Sequence, residues 1–292
     1  MCDILRELND EELNYVLEKL KFKLPYAIRD YYFIQCALRF RESAKNFSDV
    51  SVKCLPKFYT HYNGKKENCT VFAITGKEDH TVSAFTFEKS LNELKECFDR
   101  TEFINWDQGV LIVLMHAEQT VVPLRTIMHN GANLKEDERA SYYWMTMEEA
   151  QCISLTITIP ENTTVQTLTE NHAKMCNNMW QWRYENSEKY IRSLILLNGG
   201  YGLFDQTTNE LLAFALINDH FATGLLNVEK KSRGKGYGEL MARYLTVKIA
   251  EMGLHPTCYI DAHNTISQKL YNKIGYKKIG DINWIFVSPK RY

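Results

Sequence analysis

Six residues, R-G-K-G-Y-G at positions 233–238, decide how the second half of this chain is interpreted. The preceding residues 222–228 include Leu225, Leu226 and Val228 and predict a strand, whereas residues 239–252 have the spacing of an amphipathic helix. The stretch therefore predicts a strand, a glycine turn and a helix N-terminus. Unpaired backbone N–H groups and the positive end of the helix dipole make such a helix start a binding site for an anion, for example a pyrophosphate.

The order of the glycines excludes the two commonest nucleotide-binding loops. A dinucleotide fingerprint, G-x-G-x-x-G, would need a third glycine where this chain has Glu239, and a P-loop would need Ser or Thr where it has Gly236. The pattern that remains is Arg-x-x-Gly-x-Gly, formed by Arg233, Gly236 and Gly238. A solvated, lysine-rich surface turn is the alternative reading of these residues, because glycine and lysine are common in such turns.

A second motif follows at residues 264–276, N-T-I-S-Q-K-L-Y-N-K-I-G-Y, after a predicted buried strand at 257–260. Its residues Ile266, Leu270 and Ile274 recur every four positions, which predicts a helix with one apolar face. Both motifs resemble signatures of the GCN5-related N-acetyltransferase (GNAT) superfamily. The first resembles its acyl-coenzyme A pyrophosphate loop. The second resembles Asn-x-x-Ala-x-x-Leu-Tyr-x-x-x-Gly-Phe, with Ser267 for the alanine and Tyr276 for the phenylalanine.

The hydrophobic pattern around the motifs predicts further elements in the order of that superfamily. Helices are predicted at 167–183 and 187–197, and strands at 201–204, 211–218, 222–228, 276–279 and 283–287. The resemblance therefore implies an α/β (α+β) fold, with a GNAT acyl-CoA N-acyltransferase domain over residues 160–292.

The first half, residues 1–135, is predicted to be an α/β domain of its own. Strands are predicted at 50–62, 70–74, 80–87 and 110–115. Helices are predicted at 5–20, 26–40 and 89–98, and a fourth helix follows the strand at 110–115 and ends at about residue 128. Strands and helices mixed in this way form a sandwich with its own core. The polar, glycine-containing stretch at 130–139 favours a boundary, and we expect residues 136–159 to be a linker region.

Taken end to end, the chain resembles the glycine N-acyltransferase-like family, whose members place a degenerate GNAT-like half before the working one. Besides the loop, the resemblance rests on Leu24-Pro25, on Ile104-Asn105-Trp106, and on Trp180 followed by Glu185, Ser187 and Ile191. We expect Trp106 and Trp180 to be packing residues, because tryptophan at such positions is more often core than site.

Composition limits the classes of partner. The formal net charge of -1 gives no global attraction to nucleic acid or to anionic lipid, and the basic residues of interest are confined to one short loop. Eight cysteines include no C-x-x-C pair, so we expect no metal site. No apolar run is long enough for a membrane span, and the acidic first residues are unlike a secretory signal or presequence. We expect a cytoplasmic protein, although the resemblance also allows a mitochondrial one.

The resemblance implies a role for individual residues. Main-chain N–H groups of the loop would bind the pyrophosphate of the co-substrate acyl-CoA, and its pantetheine arm would lie along the strand that ends at Val228. The expected cofactor-binding residues are Leu226, Val228, Arg233, Gly234, Lys235, Gly236, Tyr237, Gly238, Asn264 and Ser267. Tyr271 resembles the tyrosine that protonates the departing thiolate.

A base that accepts the proton of the amine is harder to assign. Glycine N-acyltransferases have Val-Pro-Glu-Tyr-Arg before the loop, whereas this chain has V-E-K-K-S-R at 228–233. We name Glu229 as the candidate base, with His220, Asp261 and His263 as further candidates near the ends of predicted strands.

The sequence thus predicts an acyl-CoA-dependent N-acyltransferase that acts on an amino acid or another small amine. Two alternatives stay open: a peptide or protein N-acetyltransferase of the same fold, and a non-catalytic acyl-CoA-binding protein.

Overall fold

The structure, a computed structural model, describes residues 3–76 and 80–289. Its strands are β1 (Leu5–Glu7), β2 (Lys57–His61), β3 (Val71–Ile74), β4 (Thr81–Phe85), β5 (Val110–His116), β6 (Asn133–Trp144), β7 (Thr163–Thr167), β8 (Gly200–Asp205), β9 (Leu211–Ile217), β10 (Thr223–Val228), β11 (Thr257–Asp261) and β12 (Lys277–Ser288). Its helices are α1 (Asp10–Lys21), α2 (Ile28–Ser43), α3 (Asn92–Arg100), α4 (Val121–His129), α5 (Met147–Ile153), α6 (Ala173–Met179), α7 (Ser187–Leu197), α8 (Tyr237–Glu251) and α9 (Thr265–Ile274).

The chain divides into two compact units. The first unit contains Met1–Ile34, Leu55–Ser141 and Gly280–Tyr292, and the second contains Gln35–Cys54 and Tyr142–Ile279. This division differs from the expected boundaries in two ways. Residues 136–159, expected to be a linker, supply the end of β6 and the helix α5, and most of β12 belongs to the first unit. The polar character of β6 explains the difference, because its residues up to Arg139 are largely exposed and resemble a linker in sequence.

The first unit is a sheet in the order β1-β2-β3-β4-β5-β12, with β6 beside β12. Its strands pair antiparallel except β4 and β5, which are parallel. Helices α3 and α4 bury apolar side chains in its core, where the rings of Phe72 and Phe98 meet at 4.9 Å. Each such fully buried aromatic side chain stabilises the fold by about 1.5–3 kcal/mol relative to an exposed one.

Two predictions for the first unit need correction. Residues 5–20 were expected to be one helix, but Leu5–Glu7 form β1 and the helix begins only after Asn9. The side chain of Asn9 accepts the Glu12 N–H while the Glu12 carboxylate accepts the Asn9 N–H, a capping box that fixes the start of α1. The strand expected at 50–62 is shorter, because residues 52–54 form a 3-10 turn before β2.

The second half of the chain, from β7 to β12, repeats the element order of the first half, from β1 to β6. In both, a strand is followed by two helices, three strands, a helix, a strand, a helix and a strand. Within the second unit the sheet order is β7-β8-β9-β10-β11, and β10 and β11 are its parallel pair. Helix α8 packs on β8, β9 and β10, while α7 contacts β9.

Two further predictions differ in the second unit. The helix expected at 167–183 is a short strand, β7, followed by a 3-10 turn and the short helix α6. The two strands expected at 276–279 and 283–287 form one continuous strand, β12. Helices α7, α8 and α9 and strands β8 to β11 lie within a few residues of their predicted positions.

Most of the described cysteine side chains are buried, and the two tryptophans predicted to be packing residues make ring contacts. Six of the described cysteines are buried and free, whereas Cys152 is exposed, and Cys2 lies outside the described residues. Trp106 is buried against Phe98, and Trp180 packs on the rings of Tyr184 and Tyr190. Among the described residues, no helix is long and apolar enough to cross a bilayer.

Candidate functional site

The loop between β10 and α8 takes the conformation that its glycines allow. Gly234 has φ +78° and Gly236 φ +80°, in the left-handed region that side chains rarely adopt. A Cβ added at either position would meet no atom within 4 Å, so the space in front of this backbone is open. Gly238 is different, because a Cβ there would lie 3.5 Å from a methyl group of Val228. A methyl group at 238 would thus make an ordinary van der Waals contact with Val228, which places this position against β10.

The start of α8 presents backbone donors without a side-chain cap. Gly236 occupies the N-cap position and makes no side-chain capping hydrogen bond. The first N–H groups of a helix have no partner within the helix, and the helix dipole adds positive potential at the same place. The backbone at residues 236–239 can therefore accept an anion of the size of a phosphate group.

Glu239, the residue that excluded a dinucleotide fingerprint, is held away from the backbone at this helix start. Its carboxylate accepts hydrogen bonds from Arg243 at 2.9 Å and from Lys273 of α9 at 2.6 Å. The hydrogen bond from Lys273, together with Arg243, lowers the pKa of Glu239. The two cations thus keep the carboxylate ionised and engaged, so it does not occupy the helix N-terminus. No local sequence pattern predicts the pair with Lys273, because it joins residues far apart in the chain.

Basic side chains surround the loop, but they differ in the groups with which they interact. Lys231 forms an ion pair with Glu210 at 2.8 Å, and Arg233 donates from Nε to the carbonyl oxygen of Val228 at 3.2 Å. Lys235 is exposed, with its Nζ 6.0 Å from the centre of the Tyr237 ring. Arg233 and Lys235, both predicted to bind the cofactor, therefore flank the open helix start.

Strands β10 and β11 separate beside the loop. Their register contains one pair, Thr223 with Cys258, at the beginning of β10. After that pair, β10 shifts its register with β9 between Gly224 and Asn227, and Leu225 has φ +49°. Such a bulge bends a strand and redirects its backbone groups. The main chain around Leu226 and Val228 therefore lines a cleft, closed at Thr223 and open toward the loop, which we call the β10–β11 cleft.

Tyr271 lies near the closed end of the β10–β11 cleft. It is 4% exposed and packs edge-on against Tyr276, with ring centres 5.1 Å apart. Burial, with further contributions from Cys258 and Tyr276, raises the pKa of Tyr271 well above its usual value. Its hydroxyl therefore carries a proton throughout the neutral pH range. Thr223 is nearby, since the hydroxyl of Tyr276 lies 3.5 Å from the Thr223 Oγ1.

The second sequence motif, residues 264–276, begins with the start of α9 at the open end of the β10–β11 cleft. The Asn264 side chain accepts the Ser267 N–H at 3.0 Å, so it caps the helix. The two predicted arm-binding residues are thus hydrogen-bonded to each other through this cap. Ile266 was expected to share an apolar face with Leu270 and Ile274, but it is 82% exposed, whereas Ile274 is buried. A four-residue spacing identifies a face of the helix but not the position at which that face leaves the core.

The candidate bases lie at different ends of the β10–β11 cleft. Glu229 directly follows Val228 at the loop end, while Asp261 and His263 lie in the turn before α9, where Asp261 accepts the His263 N–H. His220 lies in the turn just before Thr223, at the closed end, and its Nδ1 is 3.1 Å from a carboxylate oxygen of Asp219. Sequence reasoning did not identify Asp219 or its partner Tyr190.

The corresponding helix start in the first unit is occupied. Helix α3 follows the parallel strand β4 as α8 follows β10, but residues 85–92 contain no glycine. Instead, the Glu88 carboxylate accepts the Glu93 N–H at 2.8 Å. A carboxylate of the chain itself thus takes the place of an external anion at the start of α3.

Other concave surfaces are less suited to be the functional site. A cavity of about 470 Å³ in the first unit is lined by Glu118, Arg139, Asp281 and Asn283, but Arg139 and Asp281 pair with each other at 2.6 Å. Within residues 3–76 and 80–289, no group of three or more His, Cys, Asp or Glu side chains has an arrangement that could hold a metal ion.

Comparison with known proteins identifies the fold. The family model described as FR47-like protein matches residues 200–285, and a domain of unknown function (DUF5645) matches residues 4–123. No curated protein matches the chain significantly. An X-ray structure of a Drosophila protein is 25% identical, with a TM-score of 0.90, covering 99% of this chain and 100% of that one.

Two further solved structures are similar in fold over the whole chain. A tandem GNAT protein from the clavulanic acid biosynthesis pathway is 9% identical, with a TM-score of 0.57 and coverage of 99% of both chains. A GCN5-related N-acetyltransferase from Sphaerobacter thermophilus is 9% identical, with a TM-score of 0.54, covering 97% of this chain and 94% of that one. The repeated element order of the two halves agrees with a tandem arrangement. The chain therefore has a tandem GNAT fold, and residues 200–285 match the FR47-like family model.

Proposed function

We propose that the protein is an acyl-CoA-dependent N-acyltransferase that transfers the acyl group to the amine of an amino acid or another small molecule. One observation carries the proposal: the uncapped start of α8 opens beside the β10–β11 cleft. An anion-binding helix start next to a cleft lined by strand backbone fits a substrate that has a diphosphate at one end and a long, amide-containing arm.

The residues of the chain suit that substrate. Main-chain N–H groups of residues 236–239 bind the diphosphate, and Arg233 and Lys235 supply positive charge from the two sides. The backbone of Leu226 and Val228 faces the space between β10 and β11, where it can hydrogen-bond the amide groups of the arm. The amide of Asn264 and the hydroxyl of Ser267 lie at the open side. Acyl-CoA supplies the thioester, an activated acyl group with a good leaving group.

Tyr271 is the proposed proton donor. Its hydroxyl stays protonated because burial raises its pKa well above the usual value. A thiolate has a lower proton affinity in water than a phenolate, but a thiolate leaving into a buried site is stabilised by a hydrogen bond from a neutral hydroxyl. Tyr271 therefore protonates the departing sulfur, or donates a hydrogen bond to it, at the closed end of the β10–β11 cleft.

The acceptor in this proposal is an amino acid or another small amine, by resemblance to the glycine N-acyltransferase-like family. Glu229, named above as a candidate base, lies about 20 Å along the strand from Thr223, at the diphosphate end. The arm of a substrate bound at the loop extends away from Glu229. We therefore assign Glu229 no role in proton transfer and return to the base below.

The test is a thiol-release assay on the full chain, with a panel of acyl-CoA donors against amino acids, small amines and a peptide with a free N-terminus. Turnover with a small amine is the expected result, and Gly236→Asp, which should lose CoA affinity, is the inactive control. Turnover with the peptide alone would favour the protein N-acetyltransferase. CoA binding without turnover for every pair would favour a non-catalytic acyl-CoA-binding protein.

A further inference from the structure

A hydrogen-bonded chain of polar side chains lies in the second unit at the closed end of the β10–β11 cleft. The Tyr190 hydroxyl of α7 donates to an Asp219 carboxylate oxygen at 3.2 Å, and His220 Nδ1 lies 3.1 Å from the same oxygen. His220 is 3% exposed, and the Asp219 side chain is 18% exposed. A carboxylate that contacts Nδ1 fixes the tautomer of a neutral imidazole, because Nδ1 then carries the proton and Nε2 is the basic nitrogen.

The turn that carries this pair is rigid. The Asn218 side chain accepts the N–H groups of His220 and Ala222, each at 2.9 Å. The Asn218 carbonyl in turn accepts a hydrogen bond from the Asn198 amide at 2.6 Å. Three hydrogen bonds therefore hold the turn, and His220 and Asp219 keep their orientation without a bound substrate. Such preorganisation is a general feature of groups that exchange protons during catalysis.

His220 and Tyr271 lie toward opposite faces of the sheet at the same end of the β10–β11 cleft. Cys258 and Ile260 point into the core that contains Tyr271, so Tyr259, between them on β11, projects from the other face. The His220 ring packs edge-on against Tyr259, with ring centres 5.9 Å apart. The proton donor proposed above and this imidazole therefore approach the Thr223–Cys258 pair from the two sides.

The length of β10 indicates that the acyl transfer takes place at the closed end of the β10–β11 cleft. From Val228 back to Thr223 the strand extends about 17 Å. A substrate held by its diphosphate at the loop, with its arm beside β10, has its thioester toward Thr223. The amine that attacks it must lose a proton there.

We propose that the Asp219–His220 pair accepts the proton released by the amine, an inference that rests on the proposed function. In the transfer, the C–N bond forms and the C–S bond breaks, while one proton leaves the nitrogen and one arrives at the sulfur. Nε2 of His220 takes the first proton, and Tyr271 supplies the second. Asp219 stabilises the imidazolium, and Tyr190 holds Asp219 in position.

Several other titratable or charged groups lie around the pair. Those that face it are Cys36 and Arg39 from α2, Lys53 and Cys54 from the 3-10 turn, Tyr184 and Tyr190 from the α7 region, and Tyr259 from β11. Burial raises the pKa of Cys36, Cys54 and Tyr190 above the neutral range, so these groups stay uncharged. Cys36, Cys54 and Tyr190 therefore do not contribute to an acidic limb of the rate profile.

The experiment compares His220→Gln, Asp219→Asn and the control His129→Gln in the full chain. For His220→Gln we expect kcat to fall by about 100-fold or more, with CoA affinity unchanged and with the acidic limb of kcat/KM lost. For Asp219→Asn we expect a lower rate with CoA affinity unchanged, because the imidazole loses the carboxylate that holds its orientation. His129 is exposed at the end of α4 in the first unit, and its replacement should leave the rate and the pH profile unchanged.

Unchanged CoA affinity and an unchanged thermal midpoint show that each variant is folded. A wild-type rate and acidic limb in His220→Gln would overturn this inference while leaving the proposed function intact. An inactive wild-type protein across the whole donor and amine panel would overturn the proposed function, and this inference with it. An acidic limb lost equally in His129→Gln would show that the effect is not specific to this pair, and would also overturn this inference.

Discussion

Gly236→Asp puts one negative charge at the start of α8 while changing little else. A Cβ at this position meets nothing within 4 Å, so the side chain fits without a clash. The φ of +80° costs about 1–2 kcal/mol of folding free energy for a residue with a side chain, and least for Asn and Asp. Two unit charges about 4 Å apart repel by about 1 kcal/mol in water and by about 4 kcal/mol at an effective dielectric constant near 20. We therefore expect the Kd for CoA to rise between about 5-fold and several hundred-fold.

The matched control is Gly236→Asn, which has the same shape and the same backbone conformation without the charge. Titration calorimetry of the wild type and both variants at low and high salt separates the charge from the bulk of the side chain. The Debye length falls from about 10 Å at 0.1 M to about 3 Å at 1 M salt, so the difference between Asp and Asn should shrink as salt is added. Gly253→Asn, at φ +78° just after α8, measures the backbone strain alone.

Equal affinities for the Asp and Asn variants would refute the anion-binding helix start, because charge would then make no difference. A salt-independent difference would do the same. Loss of binding in Gly253→Asn as well would show that strain in the unit, and not the loop, determines affinity.

Three other outcomes follow from single contacts. Tyr271→Phe should lower kcat by about 10- to 100-fold with little change in CoA affinity, and a wild-type rate at every pH would remove the hydroxyl from the mechanism. Lys273→Met should weaken CoA binding several-fold, because Glu239 is then less firmly held from the start of α8, and the added change Glu239→Gln should restore binding. Burial and the neighbouring Arg29 lower the pKa of His116 to about 3, so the unfolded chain binds more protons below pH 6.5. Stability should therefore fall as the pH drops below 6.5, and urea unfolding of His116→Gln should lack that part of the pH dependence.

The helices and strands of the second unit that surround the loop could be predicted because their signals are local. One such signal is the set of glycines at 234, 236 and 238, and another is the four-residue spacing in α9. Each of them involves residues that are close together in the sequence. The capping box at Asn9 is also local, yet the apolar residues before it were read as part of a helix, and β1 was missed. A strand of three residues is too short for its alternation to be distinguished from a helical pattern.

The repeat of the two halves could not be recognised from residues. The element order of the first half recurs in the second, yet the sequences differ at the most informative position, the turn before α3 and α8. The division of β12 between the units could not be predicted from the sequence either, because pairs such as Ile285 with Ile112 join residues that are distant in sequence. The Asp219–His220–Tyr190 chain was missed for the same reason: α7 and the turn before β10 meet only in the fold.

Two glutamates decide what each unit can bind. At the start of α3 the Glu88 carboxylate accepts a backbone N–H, and the positive potential of that helix is used within the chain. At the start of α8 the nearest carboxylate, Glu239, is turned instead toward Arg243 and Lys273, and the backbone donors remain for an external anion. A lysine on a neighbouring helix therefore contributes to anion binding without touching the anion, because it removes the competitor. The glycines make the loop possible, and the position of one carboxylate determines whether the helix start is available.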